Sequence, residues 1–194
     1  GNRKFLEKKI AEPGAHYYGI NTGFGALCDV EIQNDQLEQL QENLVMSHAC
    51  GMGDEVKPEV VKLMMLLKAK GLAQGYSGVT IETVEKLIEL FNHEIYPVIW
   101  EVGSLGASGD LAPLAHLTLP LIGKGSVRYK NEMRNAADVL KQLEISAVKL
   151  KAKEGLAFLN GTQFMSAWGC YSLLEAERVE KLADFTVAVS VDAF

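Results

Sequence analysis

The sequence predicts a mainly α-helical protein with one small β-hairpin. Apolar residues recur at three- and four-residue spacing through most of its 194 residues, and nowhere does a strand pattern alternate with a helical one. The one stretch with strand character is Ser126 to Arg134, SVRYKNEMR, which reads as a hairpin turning at Lys130-Asn131. Hydrophobic residues make up 48% of the chain, enough for one domain with a sizeable core.

In chain order, Phe5, Leu6 and Ile10 sit at helical spacing in a charged segment, a short surface helix ended by Pro13-Gly14. His16 to Gly25 is too rich in glycine, Asn and Thr for a regular element; it is a loop with two phenols, either an active-site lid or a surface turn. From Asn34 or Asp35, one of which caps it, a helix carries Leu37, Leu40, Leu44 and Val45 on one face and stops at Gly51-Met52-Gly53. His48 lies near its end. Pro58 starts a helix whose Val60, Val61, Leu63, Met64, Met65, Leu66 and Leu67 are apolar on nearly all sides, so it must be buried. Thr80 caps the next, with Val84, Leu87, Ile88, Phe91 and Ile95 on one stripe before Pro97.

Asp110 is the expected N-cap of a helix with Pro113 in its first turn, running to Gly123 without a formal charge and therefore deep in the molecule. A short helix follows from Asn135. From Thr162 a helical pattern through Phe164, Trp168, Leu174, Val179 and Phe185 reaches the last residue. Phe185 to Phe194 is apolar and has no capping residue, so partners outside these residues are expected to cover it, and the chain reads as the front part of a longer protein.

Composition narrows the function. A net charge of −6 with 19 Lys and Arg spread along the chain gives no basic stripe, which argues against nucleic acid and anionic membranes as partners. Cys28, Cys50 and Cys170 have no paired spacing. They read as small buried hydrophobes in a reducing cytoplasm rather than as a disulfide framework or a zinc site.

The stretch with most chemical content is Gly103 to Asp110, GSLGASGD. Its small residues allow tight bends, and Ser108 precedes a helix N-terminus that would favour negative charge nearby. A nucleophile elbow, G-x-S-x-G, fails at its last glycine, and the glycines at 103, 106 and 109 match neither dinucleotide nor P-loop spacing. A third possibility uses the backbone: the Gly109 nitrogen can attack the Ala107 carbonyl, and loss of two waters leaves a conjugated electrophile.

Four motifs then occur together: YGINTGFG from Tyr18, LVMSHACG from Leu44, GSLGASGDLAPLAH from Gly103 and EGLAFLNGTQ from Glu154. In content, order and spacing this set resembles the aromatic amino-acid ammonia-lyase family, most closely its histidine-specific members. The resemblance implies a multi-helical, L-aspartase-like fold. Residues 1–194 would be an N-terminal portion bearing the cofactor, with a long-helix central bundle starting from about 162. Ala107, Ser108 and Gly109 would cyclise autocatalytically to 4-methylidene-imidazol-5-one (MIO). Tyr18 would match the lid-loop tyrosine that removes the β-proton, and Asp110 an aspartate needed for cyclisation. His48, following Ser47, would contact a substrate imidazole, and Asn160 would hold the substrate or the MIO oxygen.

The implied reaction is elimination of ammonia from L-histidine to give trans-urocanate, in a homotetramer whose sites draw on several subunits. The alternatives are a tyrosine or phenylalanine ammonia-lyase or aminomutase, or a non-catalytic helical domain. The 194 residues alone are expected to be inactive and to self-associate. Trp100 departs from the proline that the family pattern leads one to expect in that approach segment.

Overall fold

The computed structural model describes residues 1–12, 14, 16–23, 32, 36–105 and 109–194. The helices are α1 (Asn2–Ile10), α2 (Leu37–His48), α3 (Pro58–Ala73), α4 (Ile81–Asn92), α5 (Leu111–Thr118), α6 (Ala136–Gln142), α7 (Glu154–Leu159) and α8 (Gln163–Ala193). The strands are β1 (Met52–Glu55), β2 (Tyr96–Pro97), β3 (Trp100–Val102), β4 (Ser126–Tyr129) and β5 (Glu132–Asn135). The mainly helical class is therefore borne out, and so is the hairpin. Tyr129 pairs with Glu132, and Lys130 and Asn131 both take positive φ, as a tight two-residue hairpin turn requires.

The sequence did not reveal the other strands. β1 pairs antiparallel with β3, Met52 opposite Val102 and Glu55 opposite Trp100, with a shift of register between Met52 and Glu55. Gly53, at φ +87°, lies within that irregularity. β2 pairs with β4 on the far side from β5. Arg128 of β4 grips Glu55 of β1 with Nε 2.9 Å from Oε1 and Nη2 2.5 Å from Oε2, which ties the two sheets together.

The core draws on α3, α4, α5 and α7 and is filled by Val61, Met64, Leu87, Ile99, Leu114, Leu117 and Phe158. α3 packs along the first part of α8 and against α4, while α5 packs on α2 and α7. The expectation that α3 is covered on nearly all sides needs correcting at Leu66, which is exposed; Val60, Val61, Met64, Met65 and Leu72 are buried. Thr80 and Asn135 cap α4 and α6 as expected, their side-chain oxygens accepting from Thr83 N–H and Ala137 N–H. The N-cap of α2 is Gln36, with no side-chain capping bond; Asn34 and Asp35, the expected caps, lie outside the described residues. The uncharged segment after Asp110 divides into α5 and a 3₁₀ turn, Leu119–Ile122, stopped by Gly123 at φ +72°.

Cys50 and Cys170 are exposed free thiols, against the expectation of burial, and Cys28 lies outside the described residues. Among the described residues no helix is long and apolar enough to cross a membrane.

Candidate functional site

Close backbone approaches hold the loop 103–110 at both ends. Gly103 has φ +148°, and a Cβ there would lie 3.0 Å from the Ala112 Cβ and 3.2 Å from the Gly51 Cα. Gly109, at φ +99°, is tighter: a Cβ would lie 2.7 Å from the carbonyl oxygen of Gly161 and 2.9 Å from its nitrogen. Those obstacles are backbone, so any larger residue at 109 must displace either the loop or the turn after α7. Ala107 and Ser108, the other two residues of the expected MIO tripeptide, lie outside the described residues.

Asp110 is 2% exposed. It occupies the N-cap position of α5, but its carboxylate makes no bond to that helix, which corrects the expected capping role. At ψ 61° its backbone is not in the extended conformation from which a cap side chain reaches back to its own helix. Instead Oδ1 accepts from the Ser104 hydroxyl at 2.7 Å and Oδ2 from the Met165 N–H at 3.0 Å. Met165 is the third residue of α8, so this carboxylate takes up one of the first-turn N–H groups that Thr162, the local cap, leaves without a side-chain partner. The buried acid thus stands at the N-termini of α5 and α8 together, where both helix dipoles favour negative charge. Its own N–H donates to the Gly161 carbonyl at 2.8 Å.

Gly109, Asp110 and Asn160 are accordingly brought together, because Asn160 and Gly161 form the turn on which the loop rests. Asn160 ends α7, its N–H donating to the Leu156 carbonyl at 2.9 Å; the residue is exposed. His48 lies on α2, which packs on α5 and α7. Its Nδ1 is 2.8 Å from the Leu44 carbonyl and 3.1 Å from the Ser47 hydroxyl. A carbonyl only accepts, so Nδ1 is the donor in that contact. Tyr18 is 59% exposed, in a segment anchored by buried Asn21 and Thr22: Tyr17 N–H donates to Asn21 Oδ1 at 2.7 Å and Gly19 N–H to Thr22 Oγ1 at 3.3 Å.

Sequence reasoning missed several residues of this arrangement. His116 accepts the Gly51 N–H at Nε2, 3.0 Å away, joining the end of the Leu44 motif to α5, and burial holds it below the usual histidine range. Trp100, the departure noted above, opens β3, and its Cβ lies beside Gly51. Ser104 shows no signal beyond its small size. Lys68 shows one: it falls on the α3 stripe of Val61, Met64, Met65 and Leu72, where every neighbour is apolar. Its Nζ donates to the Asn160 carbonyl at 3.1 Å. A cleft of about 580 Å³ does exist, walled by residues such as Glu55, Lys62, Tyr96 and Arg128, but no residue named for the site lines it.

Comparison with known proteins matches the chain to one family. The aromatic amino acid lyase family model matches residues 1–194. A histidine ammonia-lyase of Caldanaerobacter subterraneus subsp. tengcongensis is 47% identical over 192 residues, which cover 99% of this chain and 38% of that protein. Among solved structures, histidine ammonia-lyase from Trypanosoma cruzi superposes with a TM-score of 0.85 at 39% identity, covering 94% of this chain and 35% of that one. The phenylalanine aminomutase of Pantoea agglomerans superposes with a TM-score of 0.87 at 34% identity, again covering 94% and 35%. The chain thus spans little more than a third of the length of the proteins it matches.

Proposed function

The chain belongs to the aromatic amino acid lyase family, and we propose that the protein carrying it is a histidine ammonia-lyase, eliminating ammonia from L-histidine to give trans-urocanate. One observation carries the reading. Gly109, the last residue of the expected tripeptide, lies backbone to backbone against Gly161, and the buried carboxylate of Asp110 follows it.

The residues fit the MIO group. Gly109 stands where only a hydrogen fits beside the Gly161 backbone, and glycine is the residue whose nitrogen the cyclisation uses. In cyclisation the Gly109 nitrogen bonds to the Ala107 carbonyl carbon, whose oxygen leaves as water. The Ser108 hydroxyl leaves with its α-hydrogen as the second. When present, the group supplies an electrophile for the elimination. Asp110 fixes the end of the loop through Ser104 and the Met165 N–H, and the first turns of α5 and α8 provide a positive field for charge pushed towards them.

Tyr18 is assigned the removal of the β-proton, from a segment anchored at Asn21 and Thr22. His48, its Nδ1 engaged with the Leu44 carbonyl, has Nε2 left to meet a substrate imidazole, and this pairing, with the 47% identity to a histidine ammonia-lyase, favours histidine as substrate. Asn160 holds the substrate beside the loop. The working enzyme is taken as a cytoplasmic homotetramer, in which α8 starts a long-helix bundle.

The first test is an intact mass combined with peptide mapping. The peptide spanning 103–110 is expected two waters lighter than its sequence, and an unmodified peptide from an active protein overturns the cofactor assignment. The second is incubation of the protein that carries this chain with L-histidine, L-tyrosine and L-phenylalanine. Urocanate is expected; cinnamate-type products or β-amino acids instead would move the reading to the ammonia-lyases or aminomutases of the other aromatic substrates. Residues 1–194 by themselves are expected to show no turnover.

A further inference from the structure

Lys68 is 2% exposed, on α3 between Met64 and Leu72, with its Nζ 5.9 Å from the centroid of the buried Phe158 ring. Among the described residues it forms no ion pair, and its one hydrogen bond runs to the carbonyl of Asn160 at 3.1 Å. Burial without a counter-charge is costly, and the ammonium responds: its pKa is pulled down to about 7. A Met or Leu would fill this stripe without that penalty. What lysine adds is a donor directed at one backbone carbonyl.

That carbonyl belongs to the turn that seats the loop. Asn160 and Gly161 are adjacent, and their two carbonyls are held from different sides. Lys68 takes the first from α3, and the Asp110 N–H takes the second from the loop at 2.8 Å. Gly109 lies against the same Gly161, with no room for a Cβ between them. If the Asn160 carbonyl lost its donor, nothing else in the described contacts of that carbonyl would fix the rotation of the 160–161 peptide. Gly161 follows directly at φ +156°, so a change in the set of that peptide is taken up in the φ of Gly161, on which the direction of the Gly161 carbonyl depends.

We propose that Lys68 is a positioning residue for the loop 103–110, acting through the Asn160 carbonyl to fix the 160–161 turn on which Gly109 and Asp110 are seated. The assignment deepens the reading of this loop as the reacting one and rests on it for its meaning. The test reads a backbone amide rather than turnover, so a failed lyase assay and a failed positioning role give separate results.

Hydrogen exchange resolved at single amides compares the unsubstituted chain with Lys68→Met and Lys68→Arg. In Lys68→Met the Asp110 amide is expected to exchange about tenfold faster, as for loss of one hydrogen bond. The amides of Val61 and Leu87 in the core are not expected to accelerate. Lys68→Arg, which keeps a donor, is expected to restore protection at Asp110. An Asp110 amide at the original rate in Lys68→Met overturns the proposal, and so does uniform acceleration across the core, which would mean a general structural role. If Lys68→Met does not fold, the Nζ resonance of the unsubstituted chain decides: slow proton exchange supports the bond to Asn160, and fast exchange overturns it.

Discussion

Lys68 also makes a claim about stability that can be checked through pH. In the unfolded chain its amine titrates near 10.5, and in the folded chain near 7. Between those values the unfolded state holds a proton that the folded state has shed, so the Lys68 contribution to stability rises with pH across that window. Below pH 7 both states are protonated and the burial penalty is complete. The full shift corresponds to roughly 5 kcal/mol, and Lys68→Met also loses a hydrogen bond worth about 1 to 2 kcal/mol. The variant is therefore expected to be more stable than the parent by about 3 kcal/mol at pH 6, with the gain shrinking towards pH 10. Urea midpoints at three pH values measure this, and a difference independent of pH would refute it. A substitution that stabilises the fold while loosening Asp110 would show a residue kept for placement at a cost in stability.

The helices α4 and α7 depend on one buried acid, Glu154. Its Oε1 accepts from the Thr80 N–H at 2.7 Å and from the hydroxyls of Thr80 and Thr83 at 2.8 and 2.9 Å, and its Oε2 from the Lys151 N–H at 2.7 Å. Glu154→Gln puts an N–H₂ group against donors and should cost about 2 to 4 kcal/mol in chemical unfolding at neutral pH; an unchanged midpoint would count against this. Thr80 shows what was legible in the sequence, since a cap is read from neighbours on the chain. Asp110 shows the limit: its residue type gave the right position, but its partners, Ser104 and Met165, are set by packing. β1 and β3 escaped notice for the same reason, because strands this short are made by a partner some 50 residues distant, as Met52 opposite Val102 shows. In the site, the four motifs marked which segments converge. The motifs do not include Lys68, whose meaning lies in the carbonyl it reaches.

The whole molecule is lopsided. α8 is 31 residues long, about 46 Å, yet only Phe164 and Ala167 on it are buried. Leu173, Leu182, Phe185, Val187 and Val191 are all more than 60% exposed, an apolar surface that water does not favour. Residues 1–194 alone are expected to self-associate with rising concentration in sedimentation velocity, and charged substitutions at Phe185 and Val187 should reverse this; a monomer throughout a dilution series would refute it. The bond between Asp110 and Met165 also has a consequence for time. It spans 55 residues of chain, and closing a loop of that length costs roughly 3.5 kcal/mol before any constant term, so it forms only once α7 and the start of α8 have docked. A ribosome that has released Gly103 to Asp110 has not yet made what shapes them. Any chemistry of that backbone is therefore clocked by the arrival of later sequence, and the modification would serve as a covalent record that folding had been completed.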